Sequence, residues 1–304
     1  MPNTESSDKY SLSEPVIKLL AEQDARPDFA GMLSSSVVQT MLKLDGKPIE
    51  DLLVGLLPRA AMRAFVPVSN YYVGAVLLGS SGNIYFGSNF EVPGQGLACT
   101  IHAEQSGFAN AFSHDEAEIK IVAVNAAPCG HCRQFMTEFS LDVSMKIIIK
   151  ATAEMPLGKF LPEHFGPAHL GNAHGALPPR SNNLSFLNER DADSELKQIA
   201  LAAANKSYAP YSQSPSGVSL LMKSGRTHSG SYIESVAYNP SLPPLQAALV
   251  SLIQSGDSLS EIVDCVLVEL EGARITQQDL APVVLKGLGT SAPLTVSKAQ
   301  STRS

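Results

Sequence analysis

Two short segments carry side chains that could bind a metal ion and move a proton. His102 and Glu104 lie two residues apart, and Cys129 and Cys132 follow them, with Pro128 directly before the first cysteine. One imidazole and two thiolates make three ligands, and a catalytic zinc site has three because its fourth position is left to water or substrate. Bound zinc lowers the pKa of water from about 15.7 to about 7. The pattern therefore predicts a hydrolytic zinc centre, with Glu104 as its proton carrier.

Either segment alone would decide little. A His-x-Glu pair occurs in ordinary helices, and a Cys-x-x-Cys pair can be redox-active or can bind structural zinc. Their combination in this order favours the catalytic interpretation. A structural zinc site would need a fourth protein ligand, and Cys99 and His131 are the nearby candidates.

The pattern of apolar residues places both segments at helix starts. Helices are predicted over residues 101–112, with His102 and Glu104 in the first turn, and from about 128 to 139, with both cysteines in the first turn. The partial positive charge of a helix N-terminus lowers the pKa of a thiol and so favours the thiolate that zinc requires. Strands are predicted at 73–78, 84–86, 119–124 and 145–149, and the order β-β-α-β-α-β is typical of a layered α/β domain.

The second half of the chain repeats the first at an offset of 143 residues. The pairs at this offset are Pro67 and Pro210, Ser69 and Ser212, Gly74 and Gly217, Gly82 and Gly225, Gly87 and Gly230, and Glu91 and Glu234. Turn glycines that match in register predict that one hairpin is built twice. At the same offset, Leu245-Gln246-Ala247 stands opposite His102-Ala103-Glu104, and Glu271-Gly272 stands opposite Pro128-Cys129. The second copy is therefore expected to bind no metal, which leaves one zinc per chain.

These features divide the 304 residues into four parts. Residues 1–47 are predicted to form a helical leader, 48–161 the catalytic zinc domain, 162–187 a linker rich in Pro, Gly and His, and 188–304 a degenerate metal-free domain. The predicted fold class is α/β, duplicated as an active and a degenerate copy.

Composition excludes several classes of protein. The net charge of −7, without a long Lys/Arg run, argues against nucleic-acid binding and favours a small substrate. No apolar stretch approaches the roughly 20 residues that cross a bilayer, and the polar N-terminus lacks the features of a signal peptide. A cytoplasmic protein without membrane association is expected. Of the four cysteines, Cys99 and Cys265 lie in apolar surroundings and are predicted to be buried free thiols.

The metal-binding segments and several others resemble the cytidine deaminase family. These segments are Asn89-Phe90-Glu91, His102-Ala103-Glu104-Gln105, Pro128 to Phe135, Phe165-Gly166-Pro167 and Tyr238-Asn239-Pro240. Zinc deaminases combine a His/Cys/Cys metal with a glutamate that is not a ligand. The similarity extends from about residue 49 to the end. The two-domain size, with one degenerate copy, resembles the homodimeric branch of the family. It implies a three-layer fold, with a mixed sheet between helices in each copy.

The resemblance also implies roles for individual residues. Asn89 and Glu91 would hydrogen-bond the ribose, where a carboxylate accepts a hydroxyl proton and repels a phosphate. Tyr71 would stack on the pyrimidine, at a position where phenylalanine is more familiar, and Phe165 would help to close the site. Hydroxide generated at the zinc would attack C4 of the ring, while Glu104 passes a proton to N3 and then to the departing amine.

The predicted function is hydrolytic deamination of cytidine and deoxycytidine, with release of ammonia, as in pyrimidine salvage. By resemblance the enzyme would be a homodimer in which the partner's C-terminal domain borders the active site. Two alternatives stay open. One is another zinc deaminase, acting on deoxycytidylate, guanine, a base in nucleic acid or a nucleoside antibiotic. The other is a non-enzymatic scaffold built around structural zinc.

Overall fold

The computed structural model describes residues 9–150, 153–177 and 180–302. Residues 1–8 of the predicted leader, 151–152 of the predicted catalytic domain, 178–179 of the predicted linker and 303–304 of the predicted last domain lie outside the described residues. The helices are Glu14–Asp24 (α1), Ser35–Asp45 (α2), Ile49–Ala61 (α3), Ala103–Ser113 (α4), Gly130–Met136 (α5), Leu157–Phe160 (α6), Glu195–Lys206 (α7), Pro244–Gln254 (α8) and Leu280–Gly287 (α9). The strands are Met32–Leu33 (β1), Gly74–Gly79 (β2), Ile84–Ser88 (β3), Ile119–Val124 (β4), Lys146–Ile149 (β5), Met155–Pro156 (β6), Leu184–Phe186 (β7), Ser216–Met222 (β8), Thr227–Ser231 (β9), Ile262–Leu270 (β10) and Leu294–Ser301 (β11).

The first sheet has the strand order β1-β3-β2-β4-β5-β6. β2 and β3 form the predicted antiparallel hairpin, β4 runs antiparallel to β2, and β5 runs parallel to β4. Almost every residue of β2 and β3 is buried, since helices cover both faces of the sheet. The mixed sheet follows from the hairpin and from the helical crossover between β4 and β5.

Helices pack on both faces of this sheet. On one face α1, α2 and α3 share a core with strand residues such as Val76, Phe86 and Ile121. On the other face α4 and α5 share a core with Leu77, Val122 and their neighbours. Alternate residues along a strand point to opposite faces, so Val76 and Leu77 belong to different cores. The predicted three-layer α/β arrangement is confirmed.

The leader contributes a strand as well as helices. Met32 and Leu33 pair with Tyr85 and Ile84, so β1 extends the first sheet beyond β3. The sequence pattern predicted only helices in this region. Two residues are too few to show the alternation by which a strand is recognised in a sequence.

The second sheet repeats the same plan, with the order β7-β11-β10-β8-β9. β8 and β9 form the antiparallel hairpin, β10 pairs antiparallel with β8, and β11 runs parallel to β10. α7 covers one face, and α8 and α9 cover the other. β7 lies within the predicted linker and pairs with β11, so the end of that segment belongs to the second sheet.

The repeat does not keep one offset along its whole length. In the first copy Phe90 bridges to Ile101, whereas in the second Ile233 bridges to Leu242, which makes the second loop two residues shorter. α4 and α8 each have 11 residues, and they begin after His102 and Pro243 respectively. His102 therefore corresponds to Pro243 and Glu104 to Leu245. The predicted match to Leu245-Gln246-Ala247 was wrong by two residues, because a single offset cannot reveal a short deletion.

The two copies share one apolar core. α4 packs directly against α8, and a single cluster of buried residues runs from Leu77 and Phe108 in the first copy to Leu249 and Leu267 in the second. Both sheets thus bury their inner helices against each other. Among the described residues, no helix combines the length and apolar character needed to span a membrane.

Candidate metal centre

His102, Cys129 and Cys132 come together as a group that could hold a metal ion. Their ligand atoms all lie within 4.8 Å of one another, and His102 Nδ1 is 3.3 Å from each of the two Sγ atoms. Zinc bonds of about 2.0 Å to nitrogen and 2.3 Å to sulfur, at tetrahedral angles, separate those atoms by roughly 3.5 Å. The donor set therefore fits zinc. Cys99 and His131, the candidate fourth ligands, do not join the group within the described part of the chain.

Two helix starts position these side chains. His102 and Cys129 are the residues immediately before the first turns of α4 and α5, while Glu104 and Cys132 lie within those turns. The sequence pattern predicted all four within the first turns, whereas His102 and Cys129 lie one residue before them. Gln105 fixes the start of α4, since its Oε1 accepts the His102 backbone N–H at 3.3 Å. Such bonds satisfy N–H groups that have no partner within the helix.

The electrostatics of the group prepare one of its three ligands, Cys129, for a metal ion. Hydrogen bonds from Cys132 and His102 lower the pKa of Cys129 to about 3, so this sulfur is held as the thiolate. The hydrogen bond to Cys129 raises the pKa of His102, and the same neighbour and burial raise that of Cys132 well above its ordinary value. A metal must displace the protons on His102 and Cys132 to use all three ligands. Burial raises the pKa of Glu104, which is only 4% exposed, and favours a carboxyl that can hold a proton.

A cavity of about 270 Å³ adjoins the metal group. This volume lies just below the roughly 300–1,000 Å³ that is typical of small-molecule sites. Of the predicted substrate-binding residues, Tyr71, Asn89 and Glu91 line the cavity, and Tyr71 is 61% exposed. The full lining is Ser69, Tyr71, Val73, Asn89, Glu91, Thr100, His102, Ala103, Glu104, Ala126, Ala127 and Cys129.

Asn89 and Glu91 also hold the loop that forms one wall of the cavity. Asn89 Oδ1 accepts the Val73 N–H at 2.9 Å, and its Nδ2 donates to the Tyr71 carbonyl at 2.9 Å. The Glu91 carboxylate accepts the backbone N–H groups of Val68 and Ser69 at 2.8 and 3.0 Å. Burial alone would raise the pKa of Glu91, but the hydrogen bonds outweigh it and lower that pKa.

Ser69 lines the cavity, although it was not among the site residues predicted from the sequence. Its hydroxyl donates to the Glu91 carboxylate, and the same oxygen accepts the Tyr71 backbone N–H at 3.0 Å. The signal was present in the repeat, where Ser69 and Glu91 match Ser212 and Glu234. Glu234 likewise accepts the backbone N–H groups of Tyr211 and Ser212, at 2.8 and 3.1 Å. The clamp between loop and carboxylate is therefore part of the duplicated fold.

Phe165 does not line the cavity. Its ring is 42% exposed and lies 5.1 Å, between centroids, from that of His169, while its carbonyl accepts a hydrogen bond from Gln134. Within one chain, the structure does not bring Phe165 together with the other predicted site residues. The short segment Phe165-Gly166-Pro167 carried no information about its distance from the metal group.

Comparison with known proteins identifies the family. Residues 50–148 and 157–282 each match the cytidine and deoxycytidylate deaminase zinc-binding region. A cytidine deaminase of Vibrio cholerae is 40% identical over 267 residues, covering 88% of this chain and 89% of that protein. One of Serratia proteamaculans is 41% identical over 263 residues, covering 86% and 88%. A solved cytidine deaminase of Mycobacterium tuberculosis aligns with a TM-score of 0.37 and 28% identity, over 40% of this chain and 99% of that one. The chain belongs to the zinc-binding cytidine and deoxycytidylate deaminase family.

Proposed function

We propose that this protein hydrolyses cytidine and deoxycytidine to uridine and deoxyuridine, with release of ammonia. The observation that carries the proposal is the placement of Glu104 beside His102 and Cys129 in the lining of one cavity. The Vibrio and Serratia relatives, which align over most of the chain, are named cytidine deaminases. Zinc, when bound by His102, Cys129 and Cys132, supplies a Lewis acid that makes water a nucleophile at neutral pH.

Glu104 is the residue proposed to move protons. Its burial favours the protonated carboxyl, so it can deliver a proton to N3 of the pyrimidine and, after taking one from water, to the amine that leaves C4. A buried carboxylate placed against a metal-binding group is suited to this exchange because small changes in its surroundings shift its pKa.

Asn89 and Glu91 are proposed to bind the sugar with the hydrogen-bonding capacity that the loop leaves free. The carboxylate has about four acceptor sites, and three are occupied by the Val68 and Ser69 backbone and the Ser69 hydroxyl. The Asn89 amide has two donors, of which one is bonded to Tyr71. One acceptor and one donor remain for ribose hydroxyls. A carboxylate at this position disfavours a phosphate, which supports a nucleoside over deoxycytidylate.

The scaffold alternative has weaker support. A structural site closes its coordination with a fourth protein ligand, and His131 instead bonds the Asn239 carbonyl through Nε2 at 3.1 Å. Cys99 does not belong to the group of ligand atoms that could share one metal ion, within the part of the chain that the structure describes.

A substitution at Glu104 tests the proposal. Glu104→Gln keeps the shape of the side chain and removes its proton exchange, so the variant is expected to bind one zinc per chain and to lose about 10²–10⁴-fold in kcat on cytidine. Zinc is measured by elemental analysis, and turnover by the ultraviolet change on forming uridine. Glu118→Gln, an exposed glutamate, serves as the control. A Glu104→Gln enzyme that kept a tenth of wild-type turnover would exclude the assigned role.

We also propose a homodimer, and the division into a catalytic domain at 48–161 and a degenerate domain at 188–304. Large side chains stand exposed near the cavity, among them Tyr71, Tyr72 and Leu97, and burial of such side chains stabilises subunit contacts. Sizing in solution tests the dimer. A monomer with full activity would contradict it.

A further inference from the structure

We propose that the turn Val236–Pro240 of the second copy positions the two metal-binding helices, and that it does so through Gln105 and His131. This inference rests on the proposed metal centre. The second copy has no metal ligands of its own at the matching positions, yet one of its turns reaches the start of each ligand-bearing helix. Gln105 and His131 are positioning residues in this proposal, since neither belongs to the metal group.

Gln105 connects the turn to α4. Its Nε2 donates to the Pro240 carbonyl at 2.9 Å, while its Oε1 accepts the backbone N–H of His102 at 3.3 Å. The side chain is 2% exposed, so both bonds are shielded from water. A buried amide whose two ends are bonded in this way fixes the distance between the turn and the residue that carries the imidazole ligand.

His131 connects the same turn to α5. Its Nε2 lies 3.1 Å from the Asn239 carbonyl, and because a carbonyl only accepts, this nitrogen carries the proton. His131 stands between the two cysteine ligands in the sequence. Just beyond the end of α5, the buried carboxylate of Glu138 accepts the Val236 N–H at 2.7 Å. The turn therefore bonds to α5 near its N-terminal end, through His131. It also bonds to Glu138, two residues after the C-terminal end of α5.

The turn is rigid enough to act as a fixed reference. Tyr238 has φ of +62°, a conformation that costs free energy in a residue other than glycine. Hydrogen bonds hold it closed: Tyr238 N–H donates to Ser235 O at 2.8 Å, and Ser241 N–H donates to Tyr238 O at 2.9 Å. Ser235 N–H also donates to Ser241 Oγ at 2.9 Å. The carbonyls of residues 239 and 240 are thereby held toward α5 and α4.

Residues that orient metal ligands affect metal binding even when they do not bind the metal themselves. Groups that orient ligands typically contribute 10–100-fold to metal affinity. His102 is held through its backbone, and the cysteines are held through the orientation of α5. Without either bond to the turn, the N-terminal end of α4 or of α5 could move relative to the other. The three ligands would all remain, but their positions relative to one another would be less fixed.

Two variants test this in the full-length protein. Gln105→Met and His131→Leu each remove the donor to the turn and are expected to weaken zinc binding about 10–100-fold, measured by competition with a chromophoric chelator. The visible spectrum of the cobalt-substituted protein should change with them, since it reports ligand geometry. His131→Gln, which can still donate to a carbonyl, should restore most of the affinity. Because His131 is only partly buried, its variants are expected to fold.

Gln254→Met is the matched control. Gln254 is a buried glutamine that bonds across the two copies, to Ser88 Oγ at 3.0 Å, and this bond involves neither a metal ligand nor the turn Val236–Pro240. This variant should lose stability and keep wild-type zinc affinity and cobalt spectrum. Wild-type affinity in both Gln105→Met and His131→Leu would overturn the proposal, as would an equal loss in Gln254→Met. Since zinc affinity is read without a nucleoside, a failure of the deaminase assignment would be recognised separately.

Discussion

At the scale of single residues, Glu91 is proposed to bind the sugar, and it also holds the loop that forms the cavity wall. Glu91 accepts hydrogen bonds from the loop that carries Tyr71, and its counterpart Glu234 does the same in the second copy, where Pro243 stands at the position of His102. The loop contacts thus do not depend on substrate. What distinguishes Glu91 is that it lies in the same cavity as the metal group.

Ser69→Ala is expected to affect substrate binding more than the chemical step. The change removes the hydroxyl that bonds Glu91 and the Tyr71 N–H. A lost hydrogen bond of about 1–1.5 kcal/mol corresponds to a rise in KM for cytidine of roughly five- to twelvefold, with bound zinc and kcat little changed. Steady-state kinetics with zinc analysis measures both.

The repeat supplies the control for that substitution. Ser212 occupies the matching position, and its oxygen accepts the Ser214 N–H at 3.1 Å. Ser212→Ala should cost a comparable amount of stability and leave KM unchanged. An equal rise in KM for the two variants would show that the effect is a general loosening of the fold.

At the scale of helices and strands, the elements that could be predicted from the sequence are those with a periodic or repeated pattern of residues. The strand Ile119–Val124 was predicted with its observed bounds, and the hairpin to within two residues at each end. β1 and the two-residue shortening of the second loop were missed because neither leaves a periodic pattern. The bond between Gln105 and the Pro240 carbonyl could not be predicted, since it joins residues 135 positions apart and one partner is backbone.

Glu116 joins the β2–β3 hairpin to the chain after α4, and its titration should appear in the pH dependence of stability. Its carboxylate accepts bonds from the hydroxyls of Ser80, Ser81 and Tyr85. Burial alone would raise the pKa of Glu116, but these bonds and one from the Ala117 backbone lower it below its ordinary 4.5. A carboxyl with a depressed folded-state pKa adds stability above its unfolded pKa and loses it as pH falls through the folded value.

Glu116→Gln should therefore lower the free energy of unfolding by about 1–3 kcal/mol at pH 7. The difference in the free energy of unfolding between Glu116→Gln and the wild type, called the gap below, should become smaller as the pH falls below about 4.5. Denaturant titrations at several pH values measure the gap. Glu118→Gln, an exposed neighbour, should show little difference at any pH. A gap for Glu116→Gln that is constant with pH would contradict the assignment.

Close packing of helix on strand requires glycine at matching places in both copies. A Cβ on Gly87 would lie 2.2 Å from the Ala103 carbonyl oxygen, and one on Gly230 would lie 2.1 Å from the Ala248 nitrogen. Both alanine variants should lose about 1–3 kcal/mol or more of stability, because a rigid helix must move. Only Gly87→Ala displaces α4 itself, which carries Glu104 and follows His102, so it should also reduce zinc affinity. Thermal unfolding and chelator competition separate the two effects, and equal losses of affinity would contradict this.

At the scale of the whole molecule, the shared core predicts that the two copies unfold together. α4 packs on α8, and one apolar cluster includes residues of both sheets, so neither copy can open without exposing the other's buried surface. Zinc should bind the folded chain more tightly than the unfolded chain, because only folding brings the three ligands together, so its removal should lower the unfolding temperature of the entire protein. Calorimetry should therefore show a single unfolding transition both with and without a chelator, and the chelator should lower its temperature.

Gly230→Ala provides the complementary perturbation, since it strains the second copy and not the one that contains His102, Cys129 and Cys132. This variant should lower the temperature of the same unfolding transition that chelation lowers. Both changes together should lower it further and still give a single peak, because in cooperative unfolding a local loss of stability destabilises the whole protein. Calorimetry of the wild type and the variant, each with and without chelator, completes the test. A second transition that moves with Gly230→Ala but not with zinc would show that the copies unfold separately and that the core between them is weaker than its burial implies.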